Sequence, residues 1–152
     1  MLKIIPGDFA DPRVVALLEY HHRTMHAQTP KGSAHALDLA DIQSPIITLW
    51  TIWSGDFLAG MGALKTLIPA EGEVKSMHVV EGSLRKGIGS AMLRHIIEAA
   101  RERGMRRISL ETGGSAPFAP AIAFYRAHGF TDYAPFADYR PDPHSVFMTL
   151  EL

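Results

Sequence analysis

The chain has 152 residues, 47% of them hydrophobic and 20% charged, the composition of a globular domain with enough material for a real core. Its net charge of −1 offers nucleic acid no basic surface. It contains no cysteine, which excludes a disulfide framework, thiolate metal ligands and a cysteine nucleophile, and fits a reducing cytoplasm.

The opening MLKIIPGDFADPR holds no apolar core of signal-peptide length. No apolar run approaches the roughly 20 residues of a membrane helix. The expectation is a single soluble domain over residues 1–152, with no membrane and no nucleic-acid partner. Leu2 to Ile5 reads as a short strand. Asp11-Pro12 is a helix start, with Asp as N-cap and Pro at the first helical position. Val14, Leu17, Leu18, His21 and Met25 then share one helical face, and Thr29-Pro30-Lys31-Gly32 breaks the helix. Ala34 to Gln43 is predicted as a second, shorter helix.

Ile46 to Trp53 is β-branched and aromatic, hence a strand. Ser54-Gly55-Asp56 turns it into an antiparallel partner, Phe57 to Leu67. A further turn at Pro69 to Gly72 leads into a strand from Glu73 to Val80. A polar loop, Glu81 to Lys86, enters Gly87-Ile88-Gly89 and a long helix that Gly104 ends. That helix turns Met92, Leu93, Ile96, Ile97 and Ala100 inward. Arg107 to Glu111 is another strand, and Phe118 to His128 a helix closed by Gly129. Phe130 to Phe136 and Val146 to Leu152 read as a final hairpin. The order is β-α-α-β-β-β-α-β-α-β-β, an α/β domain with a mixed, mostly antiparallel sheet flanked by helices.

The joint between the Glu73 strand and its helix has the makings of an anion site. First-turn N–H groups lack partners, the helix dipole adds partial positive charge, Arg85 and Lys86 add full charges, and Gly87 and Gly89 admit a close approach to the backbone. It is equally readable as a plain strand–turn–helix joint. A nucleotide-binding P-loop is excluded, because no Gly-x-x-x-x-Gly-Lys-(Ser/Thr) occurs.

Two motifs narrow the choice. Leu84-Arg85-Lys86-Gly87-Ile88-Gly89 after a strand is similar to (Gln/Arg)-x-x-Gly-x-(Gly/Ala). Ala121-Ile122-Ala123-Phe124-Tyr125 with Gly129-Phe130 is similar to A-x-x-x-Y-x-x-x-G-F. At this separation and in this element order, the chain resembles the GNAT superfamily, the Gcn5-related N-acetyltransferases, over essentially its whole length. Gly62 to Lys65, Glu73 to Met77, Ser109 to Gly113 and Pro135 to Pro143 resemble a bacterial GNAT subgroup described only at the level of acetyltransferase. Two positions depart from the pattern. Leu84 stands where the signature opens with Gln or Arg, and Phe118 stands seven residues before the tyrosine, where an Asn is common.

The resemblance implies acetyl-CoA as donor and the amine of a small molecule, amino acid or peptide as acceptor. Arg85, Lys86, Gly87, Ile88, Gly89 and Ser90 would hold the pyrophosphate. The backbone of Met77, His78 and Val79 would pair with the pantetheine arm as an added strand does. Glu73 matches the general base. An alkyl amine of pKa about 10.4 is roughly 99.9% protonated at pH 7, a handicap of about 4 kcal/mol that a base offsets. Lys75, two residues on, shares the face of Glu73 in a regular strand; it either pairs with Glu73 or holds an acceptor carboxylate. Tyr125 matches the general acid that meets the leaving thiolate. With no cysteine, direct attack in a ternary complex is expected.

Glu111, Thr112 and Tyr139 are candidates for acceptor recognition beside Lys75. The residues from Asp11 to Gln43 are expected to shape that pocket. His22 and His26 are i, i+4 but lack an evident third ligand, so no metal is expected. Arg101 to Arg107 carries four arginines interrupted by Glu102 and reads as a solvated helix end. A homodimer is possible by analogy with relatives. The alternative function is a non-catalytic acyl-CoA-binding or sensor domain, to which Leu84 and Phe118 lend support and the pair Glu73 and Tyr125 does not.

Overall fold

The computed structural model describes residues 1–30, 32, 36–83 and 87–152. Among these residues, seven strands form one sheet in the order β1-β2-β3-β4-β5-β7-β6, where β1 is Leu2–Pro6, β2 Ile47–Ser54, β3 Phe57–Ile68, β4 Glu71–Val79, β5 Arg107–Gly113, β6 Thr131–Asp132 and β7 Ser145–Glu151. All neighbours are antiparallel except β4 and β5. Helix α1 (Pro12–Gln28) covers one face; α2 (Ile88–Glu102) and α3 (Ala119–Ala127) cover the other.

The two faces bury separate cores. Val14, Leu17 and Leu18 of α1 pack with Leu49, Trp53, Leu58 and Met61. Met92, Leu93, Ile96 and Ile97 of α2 pack with Ile52, Leu64, Val74, Ile108 and Leu110. The period-2 pattern of the strands sends alternate side chains to the two cores, and the 3.6-residue stripe of each helix meets one of them. Asp11 caps α1 by accepting from the Arg13 backbone N–H at 2.9 Å, with Pro12 as the first helical residue.

The expected helix from Ala34 to Gln43 is corrected. Ala34 and His35 lie outside the described residues, 36–40 are irregular, and only Asp41–Gln43 forms a 3₁₀ turn. Asp38 explains the difference. Its carboxylate accepts from Asp41 N–H at 2.8 Å, a local bond that competes with helical pairing, and Pro45 follows closely. The expected strand Phe130 to Phe136 shrinks to Thr131–Asp132, because Pro135 has no N–H to extend the ladder.

Two irregularities shape the central cleft. The parallel pairing of β4 and β5 spans only Glu71 to Glu73 against Arg107 to Ser109, beyond which the strands part. Within β4, Ser76 takes a φ of 55°, and the register against β3 slips between Lys75 and His78. This is a β-bulge, and it inverts which face later side chains use. Val74 packs on the α2 side, so strict alternation would put His78 there as well. Instead Met77 and Val79 pack on the α2 side, and His78 meets α1.

Candidate active site

Where β4 and β5 part, two cavities lie side by side. The larger, of about 570 Å³, is lined by Met77, His78 and Val79 of β4, by Gly87 to Ser90 at the start of α2, and by Ala121, Phe124 and Tyr125 of α3. Gly87 caps α2 at φ 77°, a conformation glycine adopts without steric cost. Gly89 has another task. A Cβ there would sit 3.3 Å from the Phe124 ring, so its small size lets α2 and α3 approach each other. The free first-turn N–H groups of α2 and the dipole behind them make this end of the cavity suited to a phosphate. Arg85 and Lys86, predicted to reinforce it, lie outside the described residues, as does Leu84.

The smaller cavity, of about 150 Å³, runs between β4 and β5. Glu73, Lys75, Ser76 and Met77 line one side and Glu111 and Thr112 the other. His21 and Met25 of α1, with Thr29, Ala36 and Leu37 beyond it, form a wall, so the segment Asp11 to Gln43 does shape this cavity. Phe118, at the end of the 3₁₀ turn Ala116–Phe118 before α3, packs against Gly113, where a Cβ would fall 2.2 Å from its ring.

Tyr125 and Met77 line both cavities. Tyr125 is 8% exposed, its ring held between Phe124 and Phe130 at centroid distances of 5.3 and 5.6 Å. Its hydroxyl has no hydrogen-bond partner among the described residues. Burial pushes its pKa well above the usual phenol value, so it carries its proton at any physiological pH.

Glu73 is 2% exposed and held through one carboxylate oxygen by a small network. Lys75 Nζ donates to Glu73 Oε2 at 3.0 Å, and the Tyr139 hydroxyl donates to the same oxygen at 2.6 Å. Lys75 Nζ also donates to the Tyr139 oxygen at 2.9 Å. Of the two roles sequence left open for Lys75, pairing with Glu73 is the one present. Burial, followed by the Glu73 charge, pushes the Tyr139 hydroxyl far above its ordinary pKa, so it remains a donor. Glu111 accepts from Ser145 Oγ at 2.7 Å.

His21 is the residue sequence reasoning passed over as one more member of an apolar helix face. Its Nδ1 lies 2.9 Å from Nδ1 of His78, the rings edge-to-face at 5.1 Å. One nitrogen must donate and the other accept, so the pair cannot carry two Nδ1 protons. Burial, then the neighbouring His78 and His22, holds the pKa of His21 down to about 3, and burial lowers His78 as well. The only sequence signal was a polar residue at helical spacing among Leu17, Leu18 and Met25.

A depressed folded pKa means the unfolded chain binds more protons between about 3 and 6.5. The stability that His21 contributes is therefore fully present above pH 6.5 and drains away as pH falls toward 3. The expected result is a urea midpoint that drops steadily below pH 6, with a shallower drop in His21→Gln; equal slopes would contradict the assignment.

The chain matches the Acetyltransferase (GNAT) family over residues 14–130. It belongs to that family. The uncharacterized N-acetyltransferase YedL of Escherichia coli K12 is 47% identical over 152 residues, covering 100% of this chain and 96% of YedL. A crystal structure of a candidate acyl-CoA N-acyltransferase from Klebsiella pneumoniae superposes with a TM-score of 0.83 at 28% identity, covering 100% of this chain and 98% of the other. A Bacillus subtilis acetyltransferase crystallised with CoA shares the fold at a TM-score of 0.71 and 22% identity, covering 100% and 99%.

The GNAT assignment makes the chain an acetyl-CoA-dependent N-acetyltransferase by class. Among the GNAT candidates named from sequence, the two cavities bring together Glu73, Lys75, Met77, His78, Val79, Gly87, Ile88, Gly89, Ser90, Glu111, Thr112 and Tyr125. Tyr139 stands just outside the smaller cavity and reaches it through Glu73. Among the described residues, no group of three or more His, Asp or Glu side chains is placed to hold a metal ion. Among the described residues, no helix is long and apolar enough to cross a membrane.

Proposed function

We propose that this GNAT protein moves the acetyl group of acetyl-CoA directly onto a primary amine of a small molecule, amino acid or peptide. The observation that carries the reading is Tyr125, which lines both cavities at once. The larger cavity takes the CoA arm, with the β4 backbone from Met77 to Val79 as its edge and the α2 N-terminus as its phosphate end. The smaller takes the acceptor. The thioester then lies at their junction, within reach of Tyr125.

Glu73 receives the proton of the acceptor ammonium, directly or through a water. The freed amine attacks the thioester carbonyl, an N–C bond forms, the nitrogen gives its second proton to solvent water, and the C–S bond breaks as the tetrahedral intermediate collapses to the amide and the CoA thiolate. The Tyr125 hydroxyl meets the sulfur as negative charge gathers on it. No acetyl-enzyme is formed. The absence of cysteine is compatible with work in the cytoplasm.

The test is free-thiol release from acetyl-CoA over a panel of amines, amino acids and short peptides. The expected result is release that depends on one class of acceptor. CoA binding without acceptor-dependent release from any of them would turn the reading to a sensor domain.

A further inference from the structure

The loop between β6 and β7 carries Tyr139, whose place in the reaction is not evident from the GNAT motifs. Its ring is wedged between Phe136 and Phe147 at 5.0 and 5.5 Å, and its backbone N–H closes a turn onto Phe136 O at 3.0 Å. This packing fixes the hydroxyl against Glu73 without depending on the bond it makes there. Lys75 approaches the same carboxylate from along β4, its side chain 9% exposed.

Both donors fall on Oε2. The other oxygen, Oε1, has no hydrogen-bond partner among the described residues, and no buried side-chain oxygen is left orphaned, so Oε1 faces open cavity space. Glu73 lines the acceptor cavity and also a second cavity of about 410 Å³ that Tyr139 borders.

We propose that Lys75 and Tyr139 are positioning residues that clamp Glu73 by Oε2, fix the direction in which its carboxylate points, and leave Oε1 alone to take the acceptor's proton. A buried carboxylate without such partners would turn away. A carboxylate with both oxygens bonded would have no lone pair in position. The clamp solves both problems with one oxygen. The proposal rests on Glu73 as base.

Other titratable groups border the cavities that Glu73 lines or pair with its strand. Lys65 stands opposite it on β3, His21 and Glu111 share its acceptor cavity from α1 and β5, and Asp138, Arg140 and Asp142 border the second cavity. The bonds to Oε2 come instead from Lys75 and Tyr139.

The experiment compares pH–rate profiles of kcat/KM for wild type, Tyr139→Phe, Lys75→Met and Lys75→Arg, with thermal unfolding and CoA titration for each. Removing a donor or a cation from a carboxylate makes it easier to protonate, so the acid limb should move to higher pH in both Tyr139→Phe and Lys75→Met. Lys75→Arg should restore the limb. Tyr139→Phe keeps the ring packing and loses two hydrogen bonds, so its melting temperature should fall only modestly and its CoA affinity should hold. An acid limb that stays in place in both variants, or activity lost only in step with stability, overturns the clamp and makes Tyr139 a mere loop anchor. Glu73→Gln separates the two ideas. If it is inactive while the limbs do not move, the clamp fails and the base stands. If it is fully active, the base fails and the clamp with it.

Discussion

Tyr125→Phe should lower kcat about 100-fold while leaving CoA affinity within about twofold of wild type. The substitution is conservative in shape. The Phe124 and Phe130 contacts belong to the ring, and the lost hydroxyl has no partner among the described residues. Folding stability should therefore hold within about 1 kcal/mol, since no hydrogen bond is broken and no cavity larger than an oxygen is made. The loss should fall on the chemical step.

Its size follows from the environment of Tyr125. Burial holds the phenol above its usual pKa, whereas a thiol titrates near 8.5. Complete proton transfer to the sulfur is thus uphill, and the hydroxyl acts chiefly as a hydrogen-bond donor to charge that exists only as the C–S bond breaks. That places the effect at the low end of the 10²–10⁴ range of acid–base groups. An alkaline limb below pH 10 belongs to another group. Single-turnover thiol release and CoA titration make the check, and a fully active variant would remove the assignment.

The contrast between Tyr125 and His78 shows what a sequence can and cannot carry. Tyr125 was legible because the helix, its closing Gly129 and the glycine joint before α2 are local signals, each fixed by backbone chemistry within a few residues. His78 was legible as a strand residue but not by its face. Its contact with His21 depends on a bulge at Ser76, a non-glycine at φ 55°, which leaves no mark in the alternation. Tyr139 was suspected only as an acceptor contact. Its bond to Glu73 spans 66 positions and is made by tertiary packing of a loop. The expected helix over Ala34 to Gln43 gives way for the opposite reason: a local bond, from the Asp41 N–H to the Asp38 carboxylate, competes with helical pairing.

Glu73→Gln should lower kcat/KM at pH 7 by about 100- to 1,000-fold, and the deficit should shrink as pH rises. The reason lies in the acceptor. With a base, the ammonium can bind and be deprotonated in place. Without one, only amine already free in solution reacts, and below its pKa that fraction grows tenfold per pH unit up to about 10.4. The variant's profile should thus climb with a slope near one where the wild type is flat, and the two should converge near the amine's own pKa. Glutamine suits the test because its carbonyl oxygen can still accept from Lys75 and Tyr139, which bond Oε2 at 3.0 and 2.6 Å, so the clamp need not collapse. Alanine would remove the acceptor oxygen as well as the charge, leaving the Lys75 and Tyr139 donors without their shared partner, and would confuse catalysis with folding. Swapping the acceptor for a weakly basic aromatic amine, free at pH 7, adds an internal control. Glu73→Gln should then cost little, because there is no ammonium proton to remove. An equal loss with both acceptors would show that Glu73 serves binding and not proton transfer.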